Sequence, residues 1–210
     1  MIRAVISDFG GVLTTPLLQS FLAYQEESGV RFEDLGGAMA RVAAKSGEHP
    51  LFELERGRIT EAEFLRAIEA ELGGDVHLGS FRETYFAHLH PNEPMISYMR
   101  ELRGRGLRMA ILTNNVRELE PHWRAKLPEL DEIFEVVVDS AFVGMRKPEP
   151  EIYELTLERL GDGLRADECV FVDDNDVNVE AARALGMAGV RFEDSEQARR
   201  DIEAALDGAP

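Results

Sequence analysis

The sequence predicts an α/β fold, a doubly wound parallel sheet with a small helical cap inserted after the first strand. Three observations lead there. Short apolar runs alternate with helical patterns from residue 93 onward. Each run is almost continuously apolar and rich in β-branched residues, as strands covered on both faces are. The stretch 16–90 breaks the alternation, showing helical periodicity and no convincing strand.

The elements follow in order. Ile2 to Ser7 reads as a buried strand that runs into Asp8-Phe9-Gly10-Gly11. Helical patterns at 17–28, 33–45, 61–72 and 79–89 come next, punctuated by glycines at 29, 36, 37, 73, 74 and 79. Thr60 and Glu63 form a capping box that starts the third of these patterns. Strands are then predicted at Arg108 to Leu112, Glu135 to Val138, Cys169 to Val172 and Gly189 to Phe192. Helices are predicted at Glu93 to Arg103, Val116 to Lys126, Pro150 to Leu160, Asn178 to Leu185 and Ser195 to Leu206. The expected division is a core from 1–15 and 91–210 and a cap from 16–90.

Composition narrows the function classes. The 210 residues suffice for one domain with an insertion, and no run approaches the roughly 18 apolar residues of a membrane span. With 23 basic against 40 acidic side chains the net charge is −17, which opposes binding to nucleic acid or to an anionic membrane. An anionic substrate must therefore be captured by local positive charge or by a metal. Cys169 is the single cysteine, so no internal disulfide forms and a reducing, cytoplasmic setting is expected.

Four places after strands carry candidate chemistry. Asp8 precedes two glycines, which allow main-chain amides to approach an anion closely; a plain turn is the ordinary alternative. Thr113 and Asn114 could donate hydrogen bonds to a phosphate, or simply cap a helix. Lys147 lies in Gly144-Met145-Arg146-Lys147-Pro148, a basic pair stiffened by proline in an acidic chain. Asp173 and Asp174 stand together after an apolar strand, where they repel each other unless a cation is near. Asp174, Asp176 and Asn178 match the first ligand positions of an EF-hand, but Val179 and Leu185 occupy the places of its glycine and glutamate. Oxygen-only donors suit Mg²⁺ better than Zn²⁺.

Taken together, Asp, Thr, Lys and paired Asp in this order resemble the four motifs of the haloacid dehalogenase superfamily, whose core is Rossmann-like. GMRKPEPEIY and FVDDNDVNVEAARALG are similar to the sugar-phosphate phosphatases of its first subfamily and to the phosphatase domain of bifunctional epoxide hydrolases. The resemblance implies a Mg²⁺-dependent hydrolase of small phosphorylated metabolites, sugar phosphates above all. It implies Asp8 as nucleophile, Thr113 and Asn114 as phosphoryl ligands, and Lys147 pairing with both Asp8 and the phosphate. Asp8, the Gly10 carbonyl and Asp174 would hold the metal, with Asp173 and Asn178 in support. A homodimer is a further expectation from relatives.

One departure stands out. Phosphatases of the superfamily usually carry a second aspartate two residues after the nucleophile, to protonate the leaving alcohol; here that position is Gly10. Haloacid dehalogenases also lack it and form the first alternative, although they tend to carry Ser-Ser-Asn where this chain has Asp173-Asp174-Asn175. A catalytically idle phosphometabolite-binding regulator is the second. His88 and His90, two apart, lie on different helix faces, Trp123 reads as packing, and Arg56-Gly57-Arg58 reads as cap surface or a contact for a substrate's distal part.

Overall fold

The computed structural model describes residues 1–73 and 76–208; Gly74, expected to punctuate the cap helices, lies outside them. The strands are β1 (Ala4–Ser7), β2 (Arg108–Thr113), β3 (Val136–Asp139), β4 (Cys169–Asp173) and β5 (Ala188–Arg191). They form one parallel sheet in the order β3-β2-β1-β4-β5. The insertion holds helices α1 (Leu17–Ser28), α2 (Phe32–Ser46), α3 (Pro50–Glu55), α4 (Glu61–Leu72) and α5 (Phe81–Ala87). After it come α6 (Glu93–Gly104), α7 (Glu120–Arg124), α8 (Leu130–Ile133), α9 (Ser140–Val143), α10 (Pro150–Leu160), α11 (Asp176–Ala184) and α12 (Ser195–Leu206). Among the described residues no helix is long and apolar enough to cross a membrane.

Alternation along each strand explains the layers, because successive side chains point to opposite faces. Val5, Met109, Ile111, Val170 and Val172 pack with α6 and α12, whose Met95, Met99, Leu102 and Ile202 are buried. Ala4, Ile6, Ala110, Leu112 and Phe171 pack on the other face with Ile152, Tyr153 and Leu160 of α10 and Ala182 of α11. Burial on both faces is why these strands are uniformly apolar in sequence. A third cluster around Tyr24, Ala38, Ile68 and Leu78 belongs to the insertion.

The five predicted strands are all present, but the expected helix from Val116 to Lys126 is broken. A 3₁₀ turn at Arg117–Leu119 precedes α7. Pro121 has no amide hydrogen for a helix running through this point, and its ring opposes the carbonyl four residues back. The start of α11 lies before the expected Asn178, because Asn175 Oδ1 accepts the Val177 amide at 3.0 Å and caps it. Helices α3, α8 and α9 were not anticipated. They span six, four and four residues, too short to display a helical period.

The chain crosses between sheet and insertion twice, and the crossings are tied together. Thr14 bridges Pro91, the Thr15 amide donates to His90 O at 2.8 Å, and the Asn92 amide donates to Leu13 O at 2.9 Å. The insertion thus leaves and returns at one place, beside the carboxyl end of β1.

Candidate active site

β1 lies between β2 and β4, and the strand order turns there. In open parallel sheets the crevice beyond the strand ends at such a point is where ligands bind. The register pairs Ser7 with Ile111 on one side and Val172 on the other. One residue further on, the chain presents Asp8 beside the ends of β2 and β4, where Thr113 and Asp173 stand. Separated widely in sequence, these side chains meet because three parallel strands end at one level.

A chamber of about 360 Å³ opens there, lined by Asp8, Gly10, Thr113, Asn114, Lys147, Asp174 and Asn178 among others. Of the expected nucleophile, phosphoryl and metal ligands and their supports, all reach it except Asp173, which lies wholly buried beneath. Lys147 Nζ is 2.9 Å from Asp8 Oδ1 and 2.6 Å from Asp173 Oδ2. Asn178 Nδ2 donates to both oxygens of Asp173, at 3.0 and 3.1 Å, and the Asn175 amide donates to Oδ1 at 2.8 Å. Asn178 is itself anchored where its carbonyl accepts the Tyr153 hydroxyl at 3.0 Å. Asp173 therefore positions the ammonium, and Asn178 and Asn175 position Asp173.

Asn114 lines the chamber and also holds the lysine. Its side-chain amide donates to Lys147 O at 3.0 Å and accepts the Lys147 amide at 2.8 Å, so it grips the lysine's main chain. The peptide between Lys147 and Pro148 is cis. Held at main chain and ammonium alike, a side chain only 1% exposed becomes a fixed point charge.

Charge is crowded around Asp8. Burial, with Asp173 and Asp174 adding repulsion, outweighs Lys147 and pushes the Asp8 carboxyl up to about 7. Asp174 is also held above the usual carboxylate range, by burial and then by Asp173. At Lys147 burial works against the ammonium, but Asp173 and then Asp8 prevail and its pKa is raised. Three carboxylates facing one ammonium leave a deficit of positive charge. Asp8, Asp173 and Asp174 each offer an oxygen, and these atoms lie within 4.8 Å of one another. Hard oxygen donors with surplus negative charge fit a small divalent cation.

Gly11 permits the close approach that this cluster needs. Its φ is +80°, and a Cβ there would lie 2.3 Å from Asp174 Oδ2. Asp176 belongs elsewhere, since it pairs with Arg191 at 2.7 Å.

Several chamber residues escaped the sequence reading. Leu51, Phe52 and Glu55 come from α3, Tyr85 and Phe86 from α5, and Trp123 from α7. Glu55 holds Arg146 Nε at 2.6 Å, and the Arg146 guanidinium lies 4.0 Å over the Phe52 ring. Burial raises the Glu55 pKa even though Arg146 opposes it. Trp123 packs on Phe9 at 4.8 Å between centroids, and its buried indole N–H finds no partner among the described residues. Pro50 in the first turn was the only local sign of α3.

Arg56-Gly57-Arg58 serves to join insertion and sheet. Arg56 pairs with Glu149 and Glu53, and Arg58 pairs with Glu53. A Cβ on Gly57 would lie 2.2 Å from Ala141 O, so only glycine lets this turn meet α9.

A family model for the haloacid dehalogenase-like hydrolases matches residues 2–186. The chain belongs to that family. It is 32% identical over 204 residues to the sesquiterpene phosphatase astK of Aspergillus oryzae, covering 92% of this chain and 91% of that one. It is 27% identical over 216 residues to bifunctional epoxide hydrolase 2 of Rattus norvegicus, covering 96% of this chain but only 38% of the relative. Among solved structures, a haloacid dehalogenase family enzyme of Bacteroides thetaiotaomicron in complex with magnesium and inorganic phosphate superposes with a TM-score of 0.71. That match has 22% identity and covers 92% of this chain and 95% of the other. As a haloacid dehalogenase-like protein, the chain is a hydrolase with the parallel-sheet fold of its family.

Proposed function

We propose that this haloacid dehalogenase-like hydrolase is a Mg²⁺-dependent phosphatase of small phosphorylated metabolites, working through a phosphoryl group carried on Asp8. The observation that supports the reading best is the buried Lys147 ammonium held between Asp8 and Asp173 in one chamber at the strand ends. Residues 16–90 act as a cap over a core made of 1–15 and 91–210.

The chemistry follows from these residues. An Asp8 oxygen attacks phosphorus as the bond from phosphorus to the ester oxygen breaks, and the departing alkoxide takes up a proton. Water then attacks the phosphorus of the aspartyl phosphate, releasing inorganic phosphate and restoring the carboxylate. Lys147 offsets the repulsion between an anionic nucleophile and an anionic substrate, and it stays in place as charge moves onto the phosphoryl oxygens. Thr113 lines the chamber as a phosphoryl donor. Asn114 contributes by fixing Lys147. Asp8, the Gly10 carbonyl and Asp174 would hold Mg²⁺, which when bound supplies charge neutralisation at the phosphoryl oxygens. Gly10 offers no carboxyl for the alcohol's proton; on the insertion side of the chamber Glu55 is the carboxyl available to give it. The paired aspartates favour phosphate over a halo-acid, which has no need of a cation.

The test is phosphate release from p-nitrophenyl phosphate and a panel of phosphorylated metabolites, with Mg²⁺ and with chelator. Acid-quenched enzyme is then assayed for a hydroxylamine-labile phosphoryl group. Release that needs Mg²⁺, with a label absent from Asp8→Asn, is the expected result. Metal-independent chloride release from 2-chloropropionate would replace the phosphatase reading with the dehalogenase one.

A further inference from the structure

Beside the polar chamber lies a second cavity of about 310 Å³, and its character is opposite. Phe21, Met39, Phe64, Leu65, Ile68 and Phe81 are among its walls, and Glu55 is its one ionisable carboxyl. Leu51, Glu55, Tyr85, Asn114 and Asn115 line both cavities, so the apolar space begins where the phosphate chamber ends. The walls come mainly from the insertion. Phe21 meets Phe32, Phe81 and Tyr85 with ring centroids 5.7, 5.3 and 6.0 Å apart, which gives a lining of aromatic faces and edges. Phe32 lines the cavity while 44% of its surface remains exposed.

We infer that this cavity receives an apolar hydrocarbon chain esterified to the phosphate, so that the substrate is a long-chain or isoprenoid-like phosphomonoester rather than a sugar phosphate. The inference rests on the phosphatase reading and deepens it. Beyond the edge shared with the chamber, where Glu55, Asn114 and Asn115 stand, a sugar would bury hydroxyl groups against phenyl and aliphatic walls that accept and donate nothing, which is costly. A hydrocarbon loses no hydrogen bond there and gains contact with every wall. Dry apolar cavities of about 150 Å³ hold a benzene ring, and about twice that volume takes a chain of roughly ten carbons. Each methylene placed there is expected to improve binding about three- to fourfold.

The experiment uses the full chain with Mg²⁺ and a series of n-alkyl phosphates from two to fourteen carbons, beside glucose 6-phosphate and p-nitrophenyl phosphate. The expected result is a kcat/KM that climbs about three- to fourfold per methylene to roughly ten carbons and then levels, far above the value for the sugar phosphate. Binding of n-alkylphosphonates, followed by calorimetry, gives a second readout that needs no turnover, and it should climb with the same slope. Leu65→Trp, which fills the cavity, should flatten both series. A flat series with p-nitrophenyl phosphate still hydrolysed, or a preference for glucose 6-phosphate, would overturn the apolar-chain inference and leave the phosphatase reading standing. No phosphate release from any ester, with phosphonate affinity still rising with chain length, would remove the phosphatase reading while keeping the apolar ligand. Flat binding of the phosphonates would end the inference whatever the turnover.

Discussion

The end of the sheet and the helical layer above it solve opposite problems. At the sheet, Asp8, Asp173, Asp174 and Lys147 are charged groups held in or near the protein interior by main-chain and side-chain hydrogen bonds. In the insertion, the space beside them is walled by aromatic and aliphatic side chains and carries a single carboxyl. Strand ends suit the first task because register sets positions to a fraction of a residue. Helices suit the second, since an apolar wall needs shape and area rather than directed bonds. Arg146 bound to Glu55, and Arg56 bound to Glu149, tie the two together. The contrast teaches that fixed charge and apolar shape are divided: the sheet end holds the charged cluster, and on the proposed reading the insertion selects what is attached to the phosphate.

Substitutions can break that division, and the largest effect belongs to the sheet. Asp8→Asn should lower phosphate release by at least about 10³-fold while the chain-length slope of phosphonate binding persists. A variant that loses the slope together with turnover would show that the two regions do not act separately. Lys147→Met comes next. It leaves Asp8 and Asp173 facing each other without a cation, and removing one partner of a buried ion pair costs about 3–5 kcal/mol, measurable by urea denaturation. Retention of wild-type stability would mean that the ammonium is not what holds the two carboxylates together.

Gly11→Ala tests the metal site with less disturbance. The new Cβ displaces Asp174, so the Mg²⁺ concentration for half-maximal activity should rise by about 10- to 100-fold, whereas an unchanged titration would remove Asp174 from the ligand set. Asp139, at the end of β3 outside the chamber, gives the smallest effect. Burial pushes its carboxyl up to about 6 from 3.8, and one of its oxygens has no hydrogen-bond partner. Between those pH values the folded chain holds more of a proton than the unfolded one, so stability is lost as pH rises through about 6. Asp139→Asn cannot ionise and should be more stable than the parent by about 1–3 kcal/mol at pH 8 and close to it at pH 4. An equal difference at both values would point to packing rather than charge.

Much of the fold was legible in the chain. Val5, Ile6, Ile111, Val170 and Phe171 announce buried parallel strands because a sheet covered on both faces has no polar side to alternate with. The Thr60 and Glu63 capping box marks the start of α4, and both reciprocal hydrogen bonds form. Asp8, Asp173 and Asp174 were visible as carboxylates directly after apolar strands, and Lys147 as half of a basic pair stiffened by proline in an acidic chain. Asn114 was visible as a polar residue at a strand end, but its grip on the Lys147 main chain was not, for a hydrogen bond across 33 residues leaves no trace in local spacing. Leu51, Phe52, Glu55 and Trp123 were not legible as site residues. Their helices are short, and an apolar residue facing a cavity looks the same in sequence as one facing a core.

The sequence by itself determined the α/β class, the order of strands and insertion along the chain, and the identity of the charged residues, since burial pattern and local chemistry are properties of neighbours in the chain. The tertiary structure decided the strand order in the sheet, the use of Asp173 to hold Lys147, and the apolar cavity that shares part of its wall with the polar chamber. Those depend on which surfaces meet across long separations, and hydrophobic burial, being non-directional, does not encode that choice in any local stretch.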